Sequence, residues 1–140
     1  MEKFVLFISD NSLAVFILIS LIVILIIYEK KKGGRKIDAN ELTRLINKEN
    51  PYVFDLRSSS EFDAGSISGA VNIQVASLVK GNSNFKANEE DTIIQICKTG
   101  SNSSSAAINL KKAGYTNVSI LSGGIMRWVQ DGMPLAKKQS

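Results

Sequence analysis

Thr92-Ile93-Ile94-Gln95-Ile96-Cys97-Lys98-Thr99-Gly100-Ser101-Asn102-Ser103 decides how the rest of the chain is read. A short apolar, β-branched run ends in a cysteine, a polar glycine-containing loop follows, and residues 103–113 have the pattern of a helix. Strand, cysteine, tight loop and helix in that order aim backbone N–H groups and the positive end of a helix dipole at one sulfur. The expected product is an anion-binding nucleophile. Cys97 is the only cysteine in the chain.

Outward from this unit, strands and helices alternate. Towards the C-terminus a strand is expected at 118–121 and a helix at 124–131. Towards the N-terminus, Asp38 with Glu41 three residues on has the form of a capped helix start, giving a helix to residue 48 that Asn50-Pro51 terminates. A buried strand follows at 52–56. Ser58 and Glu61 form a second capping box for a helix ending at Ala64, before Gly65. A turn and brief strand at 68–73, a short helix at 75–79 and an irregular loop at 81–88 complete the reading. Strands separated by helices of this length imply a parallel sheet covered on both faces, whose sites lie beyond the carboxyl ends of the strands. Asp55 and Cys97 both fall there.

The 140 residues divide by composition into a very apolar first 28 and a remainder the length of one ordinary domain. Residues 11–28 carry no charge and give 18 residues, near the lower limit for crossing a bilayer core of roughly 30 Å. Extending the span back across Asp10 would cost roughly 3 kcal/mol, so residues 1–10 are read as a short segment outside it. The start, Met1-Glu2-Lys3, lacks the basic region of a cleaved signal peptide. Formal charge is −1 over residues 1–28, +4 over 29–37 and +1 over 38–140. Basicity therefore belongs to a juxtamembrane linker, 29–36, and gives nucleic-acid binding no support. The positive-inside rule places that side in the cytoplasm and the N-terminus outside; were the source bacterial, the membrane would be the inner or plasma membrane. A single unpaired cysteine fits a reducing compartment.

Three stretches carry a family resemblance. Val53-Phe54-Asp55-Leu56-Arg57, with Glu61-Phe62 and then Gly65-Ser66-Ile67-Ser68-Gly69-Ala70-Val71-Asn72, is the first. The loop Cys97 to Ser103 is the second. Ala113-Gly114-Tyr115 and Leu121-Ser122-Gly123-Gly124-Ile125-Met126-Arg127-Trp128 form the third. In this order and spacing the chain resembles the rhodanese-like sulfurtransferases over residues 37–135, with a tail at 136–140. The resemblance implies a three-layer α/β fold with a central parallel sheet flanked by helices, here preceded by one transmembrane helix. Asn102 stands where many members have arginine, and Ser66 where many have histidine; the chain has no histidine. Losing the loop arginine removes a guanidinium that would pair with an anionic substrate, so weak use of thiosulfate is expected.

The resemblance implies that Cys97 carries sulfane sulfur as a persulfide from thiosulfate or a persulfide donor to cyanide or a thiol acceptor, small molecule or protein. Lys98, Thr99, Gly100, Ser101, Asn102 and Ser103 form the substrate-binding loop. Gly100 lets the amides converge, Lys98 is the loop's one cation, and Ser103 serves the anion or caps the helix. Asp55 and Arg57 are read as structural, through Arg57 with Glu61 or Asp55 on loop amides. No cofactor is called for, and one cysteine without histidine is a poor metal site. A phosphatase would need an arginine at the loop. The rival reading is an interaction module for membrane-protein partners, since certain anchored single-domain relatives lack the cysteine.

Overall fold

β4 (Ile93–Ile96) is the strand of the apolar run, and all four of its residues are buried. A computed structural model describes residues 1–79, 82 and 85–137 of the chain, the side chains of 30–32 excepted. The sheet has five strands in the order β1 (Arg35–Ile37), β5 (Val118–Leu121), β4, β2 (Tyr52–Asp55) and β3 (Val71–Asn72). Every pairing is parallel, and Asp55 lies opposite Ile96, so the carboxyl ends of β2 and β4 are level.

Parallel neighbours require crossovers, which helices supply. α3 (Ala39–Glu49) connects β1 to β2, and α5 (Ser101–Lys112) connects β4 to β5. α4 (Ser59–Ala64) follows β2, a single 3-10 turn at Val75–Ser77 follows β3, and α6 (Gly124–Gln130) follows β5. The caps form as the spacing predicts. Asp38 accepts a hydrogen bond from Glu41 N at 2.8 Å, and Ser58 and Glu61 complete a reciprocal capping box. Asn50 ends α3 in the left-handed conformation at φ 48°.

Two apolar layers enclose the sheet. On one face Phe54, Ile93 and Cys97 pack with Ala106, Ala107 and Leu110 of α5. On the other, Val53, Ile94 and Ile96 meet Leu42 and Leu45 of α3 and Ile125 and Trp128 of α6. The central parallel sheet flanked by helices is thus present as expected.

Three local expectations need correction. Residues 29–36 are not a linker throughout: 29–32 continue a helix, and Arg35 and Lys36 enter β1 with Ile37. Only Ile37 of that strand is buried, so two exposed cations hide an edge strand from a hydropathy reading. α5 begins at Ser101 rather than Ser103, and the expected helix at 75–79 is one 3-10 turn of three residues. The expected loop 81–88 and tail 136–140 fall partly outside the described residues.

Residues Met1–Lys32 form a separate unit of two helices, α1 (Glu2–Asp10) and α2 (Ser12–Lys32). The Ser12–Glu29 stretch of α2 is long and apolar enough to cross a membrane, and none of it is buried. Length and composition suit a membrane anchor or a signal sequence alike.

Candidate active site

Cys97 directly follows β4, and Leu56 N donates to Ile96 O at 2.8 Å to hold the neighbouring strand end beside it. The thiol is 3% exposed. Gly100 adopts φ +96°, a conformation that favours glycine, and turns the chain so that its N–H donates to Cys97 Sγ at 2.8 Å. The same residue starts α5, which needs no side-chain cap. Ser103 is therefore not the cap; it lies inside the first turn, fully buried on the sulfur side.

Burial is the largest single influence on the thiol and pushes its pKa up. Donors outweigh it together: the Ser103 hydroxyl first, then the N–H groups of Ser103, Gly100 and Thr99. The pKa comes out below the ordinary value, so the anion is favoured by neutral donors alone. Among the described contacts the Gly100 N–H makes the hydrogen bond to Sγ, and Ser103 Oγ has no hydrogen-bond partner.

The loop is held from behind by α6. Ile125 N donates to Cys97 O at 2.9 Å and Met126 N to Lys98 O at 3.2 Å. Gly124 makes this approach feasible: at φ +62° its backbone lies so close that a Cβ would overlap Cys97 O and the Lys98 carbonyl. Sequence reasoning assigned Gly123 and Gly124 no role beyond the resemblance. The signal was available as two consecutive glycines at a helix start.

The remaining loop residues lie outward. Lys98, Thr99, Ser101 and Asn102 are exposed, with Thr99 Oγ1 and Ser101 Oγ sharing a hydrogen bond at 3.3 Å. A polar cleft of about 190 Å³ opens beside Thr99, Gly100 and Ser101, and Lys36 and Ser122 also line it. Lys36 was missed as a neighbour of the loop because β1 itself was not legible.

Asp55, level with Ile96 at the end of β2, is bound by Arg57. Asp55 is fully buried, and Arg57 binds it through Nε at 3.0 Å and Nη2 at 2.8 Å while donating from Nη2 to Gly65 O at 2.7 Å. The Arg57 backbone N–H also donates to Asp55 at 3.0 Å, so Asp55 does take a loop amide. Glu61 is occupied by the Ser58 cap, not by Arg57. Their arrangement pins the segment after β2 to Gly65. Trp128 is core, its indole donating to Pro134 O at 2.9 Å. Among the described residues no group of three or more His, Cys, Asp or Glu is placed to hold a metal.

A buried sulfur cradled by amides, beside a wet rim, can stabilise a thiolate or a longer sulfur anion such as a persulfide. Comparisons with known proteins agree with this geometry. The model of the rhodanese-like domain matches residues 38–131. The chain is 28% identical to the uncharacterized protein YibN of Escherichia coli over 142 residues, covering 98% of this chain and 99% of that one. It is 32% identical over 90 residues to thiosulfate sulfurtransferase 16, chloroplastic, of Arabidopsis thaliana, covering 57% of this chain and 75% of that protein. The structure of the human single-domain sulfurtransferase superposes with a TM-score of 0.62 at 27% identity, covering 70% of this chain and 97% of that one. A parallel sheet with the sulfur at a strand's carboxyl end, and a family model matched across most of the unit that follows residue 32, have one meaning: this chain belongs to the rhodanese-like domain family.

Proposed function

We propose that this protein is a membrane-anchored sulfurtransferase that carries sulfane sulfur on Cys97. The observation that carries the reading is the short contact from Gly100 N–H to a buried sulfur, 2.8 Å, within a ring of neutral donors that lowers its pKa. Those donors suit an anion that changes length, since amides on one sulfur can follow the charge to the next.

In the first half-reaction the Cys97 thiolate attacks the outer sulfur of thiosulfate. A new S–S bond forms, the old one breaks, and sulfite leaves with its electron pair. In the second, cyanide or an acceptor thiolate attacks the outer sulfur of the Cys97 persulfide. The S–S bond breaks, thiocyanate or the acceptor's persulfide departs, and the Cys97 thiolate returns with no net oxidation. A low-molecular-weight persulfide replaces thiosulfate as donor by the same displacement, releasing its thiolate.

Thr99, Gly100 and Ser103 hold the sulfur, while Lys98 and Asn102 on the rim meet the donor. The domain is taken as residues 37–135 with Arg35 and Lys36 added as its first strand, behind an anchor within residues 11–28 and facing the cytoplasm. Confinement to a membrane surface raises the effective concentration of the carrier for acceptors there.

Thiocyanate formation from thiosulfate and cyanide tests the reading. Slow turnover is expected from the parent and none from Cys97→Ser. Asn102→Arg is expected to raise kcat/KM for thiosulfate roughly tenfold, the worth of one hydrogen bond to a charged group. Turnover that survives Cys97→Ser would refute the role of the cysteine. A folded parent inactive with every donor would favour an interaction module.

A further inference from the structure

The chain enters the α/β domain at a fixed point. Gly34 adopts φ +85°, and a Cβ there would stand 3.1 Å from Val118 O and 3.3 Å from the Ala107 Cβ, so the joint before β1 is seated on β5 and α5. Gly33 rests nearer the active loop: a side chain there would come 3.8 Å from the Ser104 Cβ, in the first turn of α5. Ser104 Oγ donates to Gly100 O at 3.3 Å, and Gly100 N–H donates to Cys97 Sγ at 2.8 Å. The entry point and the sulfur thus share one end of α5.

β1 sends its two cations to opposite faces of the sheet. Arg35 pairs with Glu41 of α3 at 3.3 Å, on the face where Ile37 is buried. Lys36 takes the other face, with α5, and has no ion pair among the described residues. It lines the polar cleft of about 190 Å³ together with Thr99, Ser101, Ser104 and Ser122, and no other charged residue lines it. Cys97 is not part of that lining; Gly100 forms the wall on the sulfur's side. One cation ringed by hydroxyls, with no acid to neutralise it, is suited to an anionic oxygen group.

The length of the tether decides which anion is at hand. The apolar span ends at Glu29, and the chain from there to Gly33 reaches at most about 14 Å even when fully extended. Ser104, on which Gly33 rests, also lines the cleft. Residues 29–37 carry a formal charge of +4, which draws anionic headgroups to this point.

We propose that the cleft lined by Lys36, Ser101, Ser104 and Ser122 is a site for the phosphate of an anionic lipid headgroup, and that its occupation holds the Cys97 loop at the bilayer surface. The inference rests on the reading of residues 11–28 as a membrane anchor. It turns the sulfur carrier towards acceptors resident at the membrane. Two other cations at this end of the domain do not serve the cleft: Lys98 is not part of its lining, and Arg127 is paired with Asp131.

The test uses the full-length protein in nanodiscs of phosphatidylcholine, with or without phosphatidylglycerol, and a nitroxide quencher on the lipid headgroup. A fluorophore is placed on Ser105→Cys, exposed on α5, or on Glu90→Cys, exposed before the amino end of β4, each in a Cys97→Ser background so that the label has one site. Quenching at position 105 is expected to exceed that at position 90 and to rise with phosphatidylglycerol. Lys36→Gln is expected to raise the phosphatidylglycerol content needed for half of that rise roughly fivefold. Lys36→Arg should restore it, and Lys112→Gln, at the far end of α5, should leave it unchanged. Equal quenching at the two positions, no response to phosphatidylglycerol, or a response that Lys36→Gln and Lys112→Gln weaken alike would overturn the inference. A response abolished by inorganic phosphate at constant ionic strength would assign the cleft to free anions and overturn the lipid. Protein that fails to enter the discs would overturn the anchor reading and this inference with it, whereas protein that enters without a response overturns this inference alone.

Discussion

Cys97 shows how a family of small effects replaces a catalytic base. No histidine exists in the chain, and the thiol is buried, which by itself would keep it protonated. One hydroxyl and three amides reverse that. A consequence for stability follows from linkage. The folded thiol titrates below its ordinary value of 9.0, so the anion's contribution is complete above that pH and is lost as pH falls through the folded value. The stability gap between the parent and Cys97→Ser in urea is therefore expected to widen as pH rises towards about 9 and then level. A gap that stays flat or narrows over that window would contradict the donor ring. Glu41 is an instructive contrast: the Arg44 side chain hydrogen-bonded to it, aided by charge from Arg44 and Arg35, lowers its pKa. Those partners are solvent-exposed, and such pairs contribute little.

At the scale of elements, the active loop is a joint product of β4, α5 and α6. α6 contributes no side chain to the sulfur, yet its first amides hold the carbonyls of Cys97 and Lys98. Gly124→Ala is expected to cost more than about 2 kcal/mol, because a left-handed residue gains a Cβ and that Cβ collides with the loop backbone. Urea unfolding measures the loss, and slower alkylation of Cys97 measures the displaced loop; a stable variant with normal alkylation would contradict the strut. The strands of apolar runs were legible because burial on both faces leaves a continuous hydrophobic signature, as in β4 and β5. The capping boxes at Asp38 and Ser58 were legible because their chemistry is local. β1 was not, since Arg35 and Lys36 resemble a tether and only pairing with β5 makes them a strand. The start of α5 was misplaced because serine at 103 satisfies the capping preference, whereas Gly100 begins the helix by conformation rather than by side chain. The pairing of Arg57 with Glu61 that the spacing suggested does not form: Glu61 serves the Ser58 cap, and Arg57 binds the buried Asp55.

At the scale of the whole molecule, an apolar helix precedes an α/β domain whose own charge is close to balanced. If α2 is the anchor proposed above, the lysines at 30–32 set its orientation, and a reporter fused after the last residue should behave as cytoplasmic; export of the reporter would reverse the topology. The central claim, that Cys97 accepts sulfur, is tested most directly by intact mass. Full-length protein in detergent is incubated with thiosulfate or a low-molecular-weight persulfide, beside Cys97→Ser. One added sulfur on the parent, absent from the variant and removed by cyanide or a thiol, is the predicted result. A folded parent that gains no sulfur from any donor would contradict the account.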